Sequence, residues 1–336
     1  MCGRIEQTAL EDRVRKQVKI GTRSSVMALA QTEEIIRQLD ENAGVSAQSI
    51  KFQPRGDVDQ VAKLDRHGGK GGAFVAEIRK ALRDGALDAA MHSLKDVPGD
   101  EEANGLVFGA YLRREAVEDA LVLRRDRSFN EFAGAAGRGY KIGTNSVRRA
   151  AYIKRLFPEC EVIHFRGAAD TRIRKLDEQT LQKLPDGTEV GPADGLLMAK
   201  SGLARVGFAD RISYTFSPDE MLPAVGQGIV VVECTVRDWE TLKSLTAVDH
   251  EEARLCALAE REVLWILNGH CNTPIAGYAT CNEDHLSLRA AVLSLDGKTV
   301  IEACDEGSKS QPRELGRSVG LKLLEKGAGS LISEFV

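Results

Sequence analysis

The chain lacks three features that would assign it to common functional classes. No stretch of about 18 apolar residues occurs, so no segment is predicted to span a bilayer. The net charge is −4, from 46 basic and 50 acidic residues, so no global positive field recruits nucleic acid. Aromatic residues make up only 5% of the chain, and platforms for base stacking are absent. With 336 residues, 43% of them hydrophobic, we expect a soluble protein of two or three domains.

Cysteine usage and the N-terminus both favour a reducing compartment. The seven cysteines are odd in number and form no Cys-x-x-Cys pair, which argues against a disulfide scaffold and a zinc ribbon. No apolar targeting segment opens the chain, and Glu6, Glu11 and Asp12 argue against a transit peptide. We therefore expect a cytoplasmic protein without a metal site, in which residues 1–17 form a polar extension.

Strand and helix patterns alternate from Val18 onward. The run at 18–21 is typical of a buried strand. Either Ser24 or Ser25 can cap the helix that follows, which has amphipathic spacing and runs to about Asp40. Such alternation predicts an α/β fold with parallel sheets and right-handed crossovers. Further strands are predicted at 50–52, 87–92, 161–165 and 195–199, and further helices at 147–157 and 170–184.

One six-residue segment occurs twice. The segment from Lys19 to Ser24 recurs from Lys141 to Ser146 with five identical positions, and both copies fit a strand that leads into a helix. Short turns of this kind arise by chance, but two similar α/β domains that face each other also explain the repeat. The last part of the chain differs. A long helix at 249–267, three strands and a closing helix predict a small third domain.

Cationic and hydroxyl side chains cluster where the predicted strands end and helices begin. Ligands of parallel α/β sheets bind at these points, so the cluster predicts a cleft for a polyanion, either phosphate or carboxylate. Each arginine alone is typical of a solvated surface, but cations oppose the helix dipole at an N-terminus, and a bound anion would offset that cost. The residues are Arg23, Ser25, Lys70, Ser93, Lys95, Ser146, Arg148, Arg149, Arg166, Arg172 and Arg205.

Two further residues each allow two interpretations. Asp96 directly follows Lys95, and it either forms a structural ion pair or stabilises a cation that develops during a reaction. At about 4 Å and an effective dielectric near 20, such a pair attracts by about 4 kcal/mol before desolvation. Cys271 lies in a loop between Gly269 and Pro274, where it is either an inert small hydrophobe or a reactive thiol.

Six short segments occur in a fixed order along the chain. They are Ile20-Gly21-Thr22-Arg23-Ser24-Ser25, His92-Ser93-Leu94-Lys95-Asp96-Val97-Pro98, Gly143-Thr144-Asn145-Ser146-Val147-Arg148-Arg149, Phe165-Arg166-Gly167, Leu222-Pro223-Ala224-Val225-Gly226-Gln227-Gly228 and Gly269-His270-Cys271-Asn272-Thr273-Pro274-Ile275. Together they resemble the porphobilinogen deaminase family, also called hydroxymethylbilane synthases. The resemblance covers nearly the whole chain from Val18, and the ordered set is specific.

The resemblance implies a three-domain α/β fold. Two lobes similar to those of periplasmic binding proteins are followed by a small C-terminal α/β domain with a three-stranded sheet. The chain is expected to cross between the lobes near 112–118 and to return near 222–229. The implied domains are 1–112 plus 229–246, 118–224 and 250–336.

The resemblance also implies an activity and a cofactor. A transferase of tetrapyrrole (heme) biosynthesis is expected, which condenses four porphobilinogen units with loss of ammonia and then releases hydroxymethylbilane by hydrolysis. The units are added to a covalent dipyrromethane primer, held by a thioether to Cys271. The small-molecule substrate is the expected partner, with neither nucleic acid nor membrane, and the protein is expected to be a monomer.

Roles for single residues follow from the match to the family motifs. Asp96 is implied as the catalytic residue, which accepts pyrrole N–H bonds and stabilises the azafulvenium cation left by ammonia. The acetate and propionate groups of the pyrroles are implied to bind Arg23, Lys95, Arg148, Arg149, Arg166 and Arg172. Ser25, Ser93 and Ser146 are implied to add hydrogen bonds, and Lys70, Arg205 and Gln227 are implied to line the same cleft.

The sequence departs from the family pattern at Arg66, Gly72, Ala168 and His270, and residues 178–192 resemble an insertion. Two other classes stay open. A two-lobed binding protein for an organic anion explains the repeat and the arginines, but neither Cys271 nor the third domain. A cysteine hydrolase or acyltransferase explains Cys271, and it needs a basic partner near the thiol.

Overall fold

The computed structural model describes residues 17–52, 73–99, 103–184, 187–269 and 272–333. Lys70 and Cys271 lie outside these residues, as do Arg66, Gly72 and His270. The other twelve predicted site residues are described.

The strands form two five-stranded sheets, one three-stranded sheet and one two-stranded hairpin. In chain order the described strands are β1 Val18–Arg23, β2 Ala47–Phe52, β3 Ala89–Ser93, β4 Leu106–Tyr111, β5 Asp119–Leu123, β6 Lys141–Gly143, β7 Glu161–Ile163, β8 Gln182–Lys183, β9 Glu189–Val190, β10 Gly195–Ala199, β11 Tyr214–Phe216, β12 Val230–Thr235, β13 Ile275–Cys281, β14 His285–Leu293 and β15 Val300–Ser308. The sheet orders are β2-β1-β3-β12-β4, β11-β5-β10-β6-β7 and β13-β14-β15, and β8 pairs with β9.

Helices cover these sheets. In chain order the described α-helices are α1 Val26–Ala43, α2 Ala73–Arg83, α3 Phe129–Gly134, α4 Val147–Leu156, α5 Ala169–Asp177, α6 Lys200–Arg205, α7 Trp239–Leu245, α8 Glu251–Ile266, α9 Pro312–Glu325 and α10 Ala328–Ile332. We call the first sheet with its helices the first lobe, and the second sheet with its helices the second lobe. No helix in the described ranges is both long and apolar enough to cross a membrane.

The first strand and helix show how the sequence specifies the local structure. Ile20 of β1 is fully buried, whereas the neighbouring Lys19 is exposed. The Oγ of Ser25 accepts a hydrogen bond from the amide of Ala28 at 3.3 Å and thereby caps α1. The helix ends at Gly44, whose φ of 59° lies in the left-handed region that glycine tolerates.

Neither large sheet is fully parallel, which corrects the expectation from the alternation of strands and helices. In the first sheet β12 runs antiparallel to β3 and β4, and in the second β5 runs antiparallel to β10 and β11. The chain enters β5 after leaving β4 of the first sheet, and it enters β12 after leaving β11 of the second. Each antiparallel strand therefore enters from the other lobe, and the two lobes share two crossing segments.

The helix predicted at 170–184 ends early, at Asp177. Gln179 has a φ of 54°, in the left-handed region, and the amide of Thr180 donates to the carbonyl of Lys175 at 3.1 Å. These contacts satisfy the last carbonyls of α5 and turn the chain into the β8–β9 hairpin. Gln182 of this hairpin is buried, and its Oε1 accepts a hydrogen bond from the amide of Arg166 at 3.3 Å.

The third sheet is antiparallel throughout and has cores on both faces. One face packs with α8 and α9 through Val263, Leu288 and Val319. Ala291 and Leu293 contribute instead to the core of the second lobe. The expected fold class is confirmed: two α/β lobes and a small C-terminal α/β unit with a three-stranded sheet.

Candidate active site

A cleft of about 520 Å³ lies at the strand ends of the two lobes. It is lined by the turn between β1 and α1, the residues after β3, the start of α5 and the end of α6. The structure thus brings together predicted site residues that are up to 182 positions apart in sequence, from Arg23 to Arg205. The predicted site residues that line it are Arg23, Ser25, Ser93, Lys95, Asp96, Arg149, Arg166, Arg172 and Arg205.

Asp96 ends a short 3₁₀ turn, Leu94–Asp96, that directly follows β3. The amide of Leu94 donates to the carbonyl of Ile229 at 3.0 Å, and the amide of Val97 donates to the carbonyl of Leu94 at 3.1 Å. The Leu94 side chain is buried and packs against Gly226, where a Cβ would lie 2.8 Å from Leu94 Cγ. The backbone around Asp96 is therefore held on one side by β3 and on the other by the crossing segment that contains Gly226 and Ile229.

Lys95 is a cation in a desolvated position. Its Nζ donates to Oε1 of Gln227 at 3.3 Å. Burial lowers the pKa of Lys95 to about 8, and the nearby charge of Arg149 lowers it further, while the carboxylates of Asp96 and Asp119 oppose the shift. Because its pKa lies near neutrality, the charge of Lys95 depends on pH and on what the cleft binds.

Asp119, at the start of β5, organises the wall behind the cleft and was missed by the sequence analysis. Its Oδ2 accepts from Nη2 of Arg148 at 2.6 Å, and its Oδ1 accepts from Nε of Arg149 at 2.8 Å and from Nε2 of Gln227 at 3.0 Å. Burial would raise the pKa of Asp119, but the two guanidinium charges hold it well below its usual range. An acidic residue at the head of the apolar run Ala120–Leu123 was the available signal.

Three residues predicted to bind the ligand lie in or behind this wall rather than among the lining residues. Arg148 is buried, and its Nη1 donates to the carbonyl of Leu222 at 2.8 Å. Gln227 is fully buried, and its Nε2 also donates to the carbonyl of Val117 at 2.7 Å. The Oγ of Ser146 caps α4 by accepting from the amide of Arg149 at 3.4 Å. Their direct contact with a ligand stays a prediction.

Arg172, in the first turns of α5, has a buried donor atom without a hydrogen-bond partner. That atom is its Nε, for which no acceptor lies within reach among the described residues, and the carboxylate of Asp96 interacts with its charge. Burial lowers the pKa of Arg172 to about 10, and the charge of Arg149 adds to the effect. A buried guanidinium of this kind is costly unless an anion pairs with it, so this part of the cleft is suited to an acidic ligand.

The second lobe also contacts a crossing segment at the cleft. Arg205, at the end of α6, forms an ion pair with Glu115, which lies in the segment that crosses from β4 to β5. Both residues line the cleft. Arg205 therefore lies where it was predicted, but a carboxylate of the protein already occupies part of its hydrogen-bonding capacity.

Two family models match almost the whole chain. The model described as "Porphobilinogen deaminase, dipyromethane cofactor binding domain" matches residues 18–243, and "Porphobilinogen deaminase, C-terminal domain" matches residues 254–325. The chain belongs to the porphobilinogen deaminase family. This membership confirms the resemblance inferred from the six ordered segments.

Curated relatives of the family align over nearly their full length. The porphobilinogen deaminase of Alkaliphilus metalliredigens is 36% identical over 318 residues, which cover 94% of this chain and 95% of the relative. That of Listeria innocua is 36% identical and covers 96% and 99%, respectively. That of Coxiella burnetii is 35% identical and covers 95% and 98%.

Solved structures that match part of this chain include a lipoprotein and a periplasmic solute binding protein. Immunogenic lipoprotein A from Vibrio vulnificus is 12% identical, with a TM-score of 0.42 over 70% of this chain and 96% of that chain. A TRAP periplasmic solute binding protein from Desulfovibrio salexigens is 9% identical, with a TM-score of 0.39 over 70% and 73%.

Proposed function

We propose that this chain condenses four porphobilinogen units, with loss of ammonia, on a covalent dipyrromethane and then releases hydroxymethylbilane by hydrolysis. Membership of the family supports the reaction. The observation that carries the proposal for this chain is the cleft itself, in which a single turn places Asp96 among arginines from both lobes. The product belongs to tetrapyrrole biosynthesis.

The described residues fit a dipyrromethane, which carries acetate and propionate groups. The unpartnered Nε of Arg172 and the desolvated charges of Lys95 and Arg149 favour a ligand with several carboxylates. Arg23 and Arg166 line the same cleft from the first and second lobes, respectively. When bound through Cys271, the dipyrromethane would supply the free pyrrole α-carbon to which the first unit is added.

The chain's own side chains perform three tasks in this proposal. The arginines bind and orient carboxylates, because a planar guanidinium offers two parallel N–H donors. Ser25 and Ser93, which line the cleft, add hydroxyl donors. Asp96 accepts pyrrole N–H bonds and stabilises the positive charge that develops on the substrate as ammonia leaves.

Charge stabilisation is the main task of Asp96 in this proposal. A carboxylate about 4 Å from a cation attracts it by about 4 kcal/mol at an effective dielectric near 20. Because the 3₁₀ turn holds Asp96 in place before substrate arrives, little reorganisation opposes this attraction.

We also propose the domain boundaries that the motifs imply: 1–112 with 229–246, 118–224 and 250–336. The membership of β12 in the first sheet and of β5 in the second supports the two crossings at 112–118 and 222–229. A monomer in the cytoplasm, with porphobilinogen as its partner and neither nucleic acid nor membrane, completes the proposal.

The intact mass of the purified protein tests the proposed function. We expect the wild-type protein to exceed its sequence mass by two pyrrole units and to consume porphobilinogen. Cys271→Ser should have its plain sequence mass and no turnover. Cys304→Ser, which alters an exposed free thiol, is the matched control and should behave like wild type.

Two results would favour the other classes. A wild-type protein that has its sequence mass, gains no pyrrole on incubation with porphobilinogen and binds an organic dicarboxylate unchanged would be a binding protein. Turnover of a thioester that depends on Cys271 would indicate a hydrolase or acyltransferase.

A further inference from the structure

Arg261 of α8 holds the backbone that directly follows Asp96. Its Nη2 donates to the carbonyl of Pro98 at 2.7 Å, and its Nη1 donates to the carbonyl of Val97 at 3.2 Å. The carbon of its guanidinium lies 5.5 Å from the centroid of the Phe108 ring. Two donors on one rigid plane fix both the distance and the orientation of these consecutive carbonyls.

The choice of acceptor is unusual for a charged side chain. Within the described ranges no carboxylate lies within ion-pair distance of Arg261, although Glu260 and Glu262 flank it on the same helix. Those neighbours bind Arg114, Arg313 and Arg317 instead. Arg261 therefore donates its hydrogen bonds to two neutral carbonyls. Because the donor is charged, both hydrogen bonds are stronger than those of a neutral donor.

A second contact seats the same segment on the same helix. A Cβ at Gly99 would lie 2.5 Å from Cβ of Leu264 and 2.6 Å from its Cδ1, so only glycine allows this approach. Leu264 lies one helical turn after Arg261. On its other side, Cδ2 of Leu264 lies 3.4 Å from the Cβ position of Gly269, just beyond the end of α8.

The turn that carries Asp96 is thus held at both ends. On the N-terminal side, Leu94 bonds to Ile229 and packs in one cluster with Ala257 of α8. On the C-terminal side, Arg261 and Leu264 hold residues 97–99. Removal of the guanidinium would free the C-terminal side, one residue away from the carboxylate that the reaction uses.

We propose that Arg261 is a positioning residue, which sets the orientation of the Asp96 carboxylate through its two bonds to the carbonyls of Val97 and Pro98. This inference rests on the proposed function of the cleft. Arg261 does not line the cleft, so its effect on the reaction is exerted through Asp96.

Arg261→Gln is the principal test. We expect kcat to fall about 10- to 100-fold, the size of effect that a misplacement of about 1 Å produces, while KM changes less than twofold. The intact mass should still show the attached pyrroles. Hydrogen exchange of the amides at residues 94–97 should accelerate, whereas exchange in β14 should stay unchanged.

Three further variants separate positioning from stability. Arg317→Gln removes a guanidinium bonded to the neighbouring Glu262, at 60% exposure, and should leave both kcat and the exchange of residues 94–97 at wild-type values. Arg261→Lys can bond one carbonyl at a time and should recover part of kcat. Gly99→Ala forces residues 97–99 away from Leu264 and should lower kcat without a change in KM.

The outcomes distinguish this inference from the proposed function. If the wild-type protein turns over porphobilinogen and Arg261→Gln matches it in kcat and in exchange, the positioning role is wrong while the function stands. If Arg261→Gln does not fold, wild-type kcat in both Arg261→Lys and Gly99→Ala would equally overturn the role. A wild-type protein without bound pyrroles would instead refute the proposed function.

Discussion

The two copies of the repeated turn have nearly the same sequence and serve different purposes. In the first lobe the strand runs through Arg23 and α1 begins after Ser25, whereas in the second the strand ends at Gly143 and α4 begins after Ser146. The sequence repeat aligns Ser24 with Ser146, so the capping serine is displaced by one position between the copies. The equivalent residues Arg23 and Asn145 both line the cleft.

The position of Arg23 is taken by Asn145 in the second copy. Oδ1 of Asn145 accepts a hydrogen bond from the amide of Phe165 at 2.9 Å, so this uncharged side chain holds the segment that follows β7. The cations of the second copy lie one turn later, at Arg148 and Arg149, where Asp119 binds both. In the first lobe Arg23 lines the cleft, whereas in the second a buried carboxylate binds both Arg148 and Arg149, of which Arg149 also lines the cleft.

The antiparallel strands of the two lobes can be compared in the same way, because each contains a buried acidic residue. Asp119 begins β5 of the second lobe, and Glu233 lies in β12 of the first, where Arg79 donates to it at 2.9 Å and His92 Nε2 lies 3.3 Å away. Asp119 supports the cleft wall, whereas Glu233 bonds to a helix on the far side of the sheet. Similar buried ion pairs can thus be structural in one lobe and functional in the other.

The largest expected effect concerns Asp96, because neither copy of the repeated turn contains an acidic residue. We expect Asp96→Ala to lower kcat about a thousandfold, since about 4 kcal/mol of charge stabilisation is lost, while the protein remains folded. Steady-state turnover of porphobilinogen and circular dichroism measure the two quantities. Turnover at the wild-type rate would remove Asp96 from the mechanism.

Next, Asp119→Asn and Glu233→Gln compare the two buried acids. Each should lower the free energy of unfolding by about 3–5 kcal/mol, because buried guanidinium charges lose their partner. Denaturant unfolding measures this loss. Only Asp119→Asn should also weaken cofactor attachment or substrate addition, as judged by intact mass and KM; equal losses of function in both variants would contradict the division of roles.

The same comparison has a pH dependence. Because the charges around Asp119 hold its pKa well below the usual range, its contribution to stability is complete above about pH 4 and is lost as the pH falls toward its lowered pKa. Acid unfolding of wild type should therefore be steeper than that of Asp119→Asn below about pH 4. Parallel acid-unfolding curves would show that Asp119 does not retain its charge in the folded protein.

A smaller effect on the pH dependence of kcat/KM is expected from Lys95, and it tests whether desolvation lowers the pKa of this side chain. Burial lowers its pKa to about 8, so the uncomplexed protein loses this cation above that pH. We expect kcat/KM to fall by up to about tenfold per pH unit on the alkaline side. Arg stays charged there, so in Lys95→Arg the alkaline fall should move to higher pH. An unmoved profile would assign the titration to another group.

The smallest effect separates the two capping serines. Ser25→Ala and Ser146→Ala should each cost about 1 kcal/mol of stability in thermal or denaturant unfolding. Ser25 also lines the cleft, so its variant should raise KM in addition. A comparable rise of KM in Ser146→Ala would show that its hydroxyl serves both the cap and the ligand.

Much of this protein was predictable from local sequence. The strand at Gly195–Ala199, the helix that starts at Val147 and the three strands of the C-terminal sheet all lie where their patterns predicted them. Local signals succeeded there because apolar spacing and capping residues act within one element. They failed at α5, where a left-handed residue ended the helix, and in both large sheets, where an antiparallel strand enters from the other lobe.

The local sequence established the family, the alternation of elements, the repeated turn and the set of cations at strand ends. Which of these cations line the cleft, and which bind protein carboxylates, depended on the tertiary structure. Asp119 is 29 positions from Arg148 and 108 from Gln227, and Arg261 is 164 positions from Val97, to whose carbonyl it donates. Hydrogen bonds depend on distance in space, and only the folded chain brings these groups within 3.5 Å of one another.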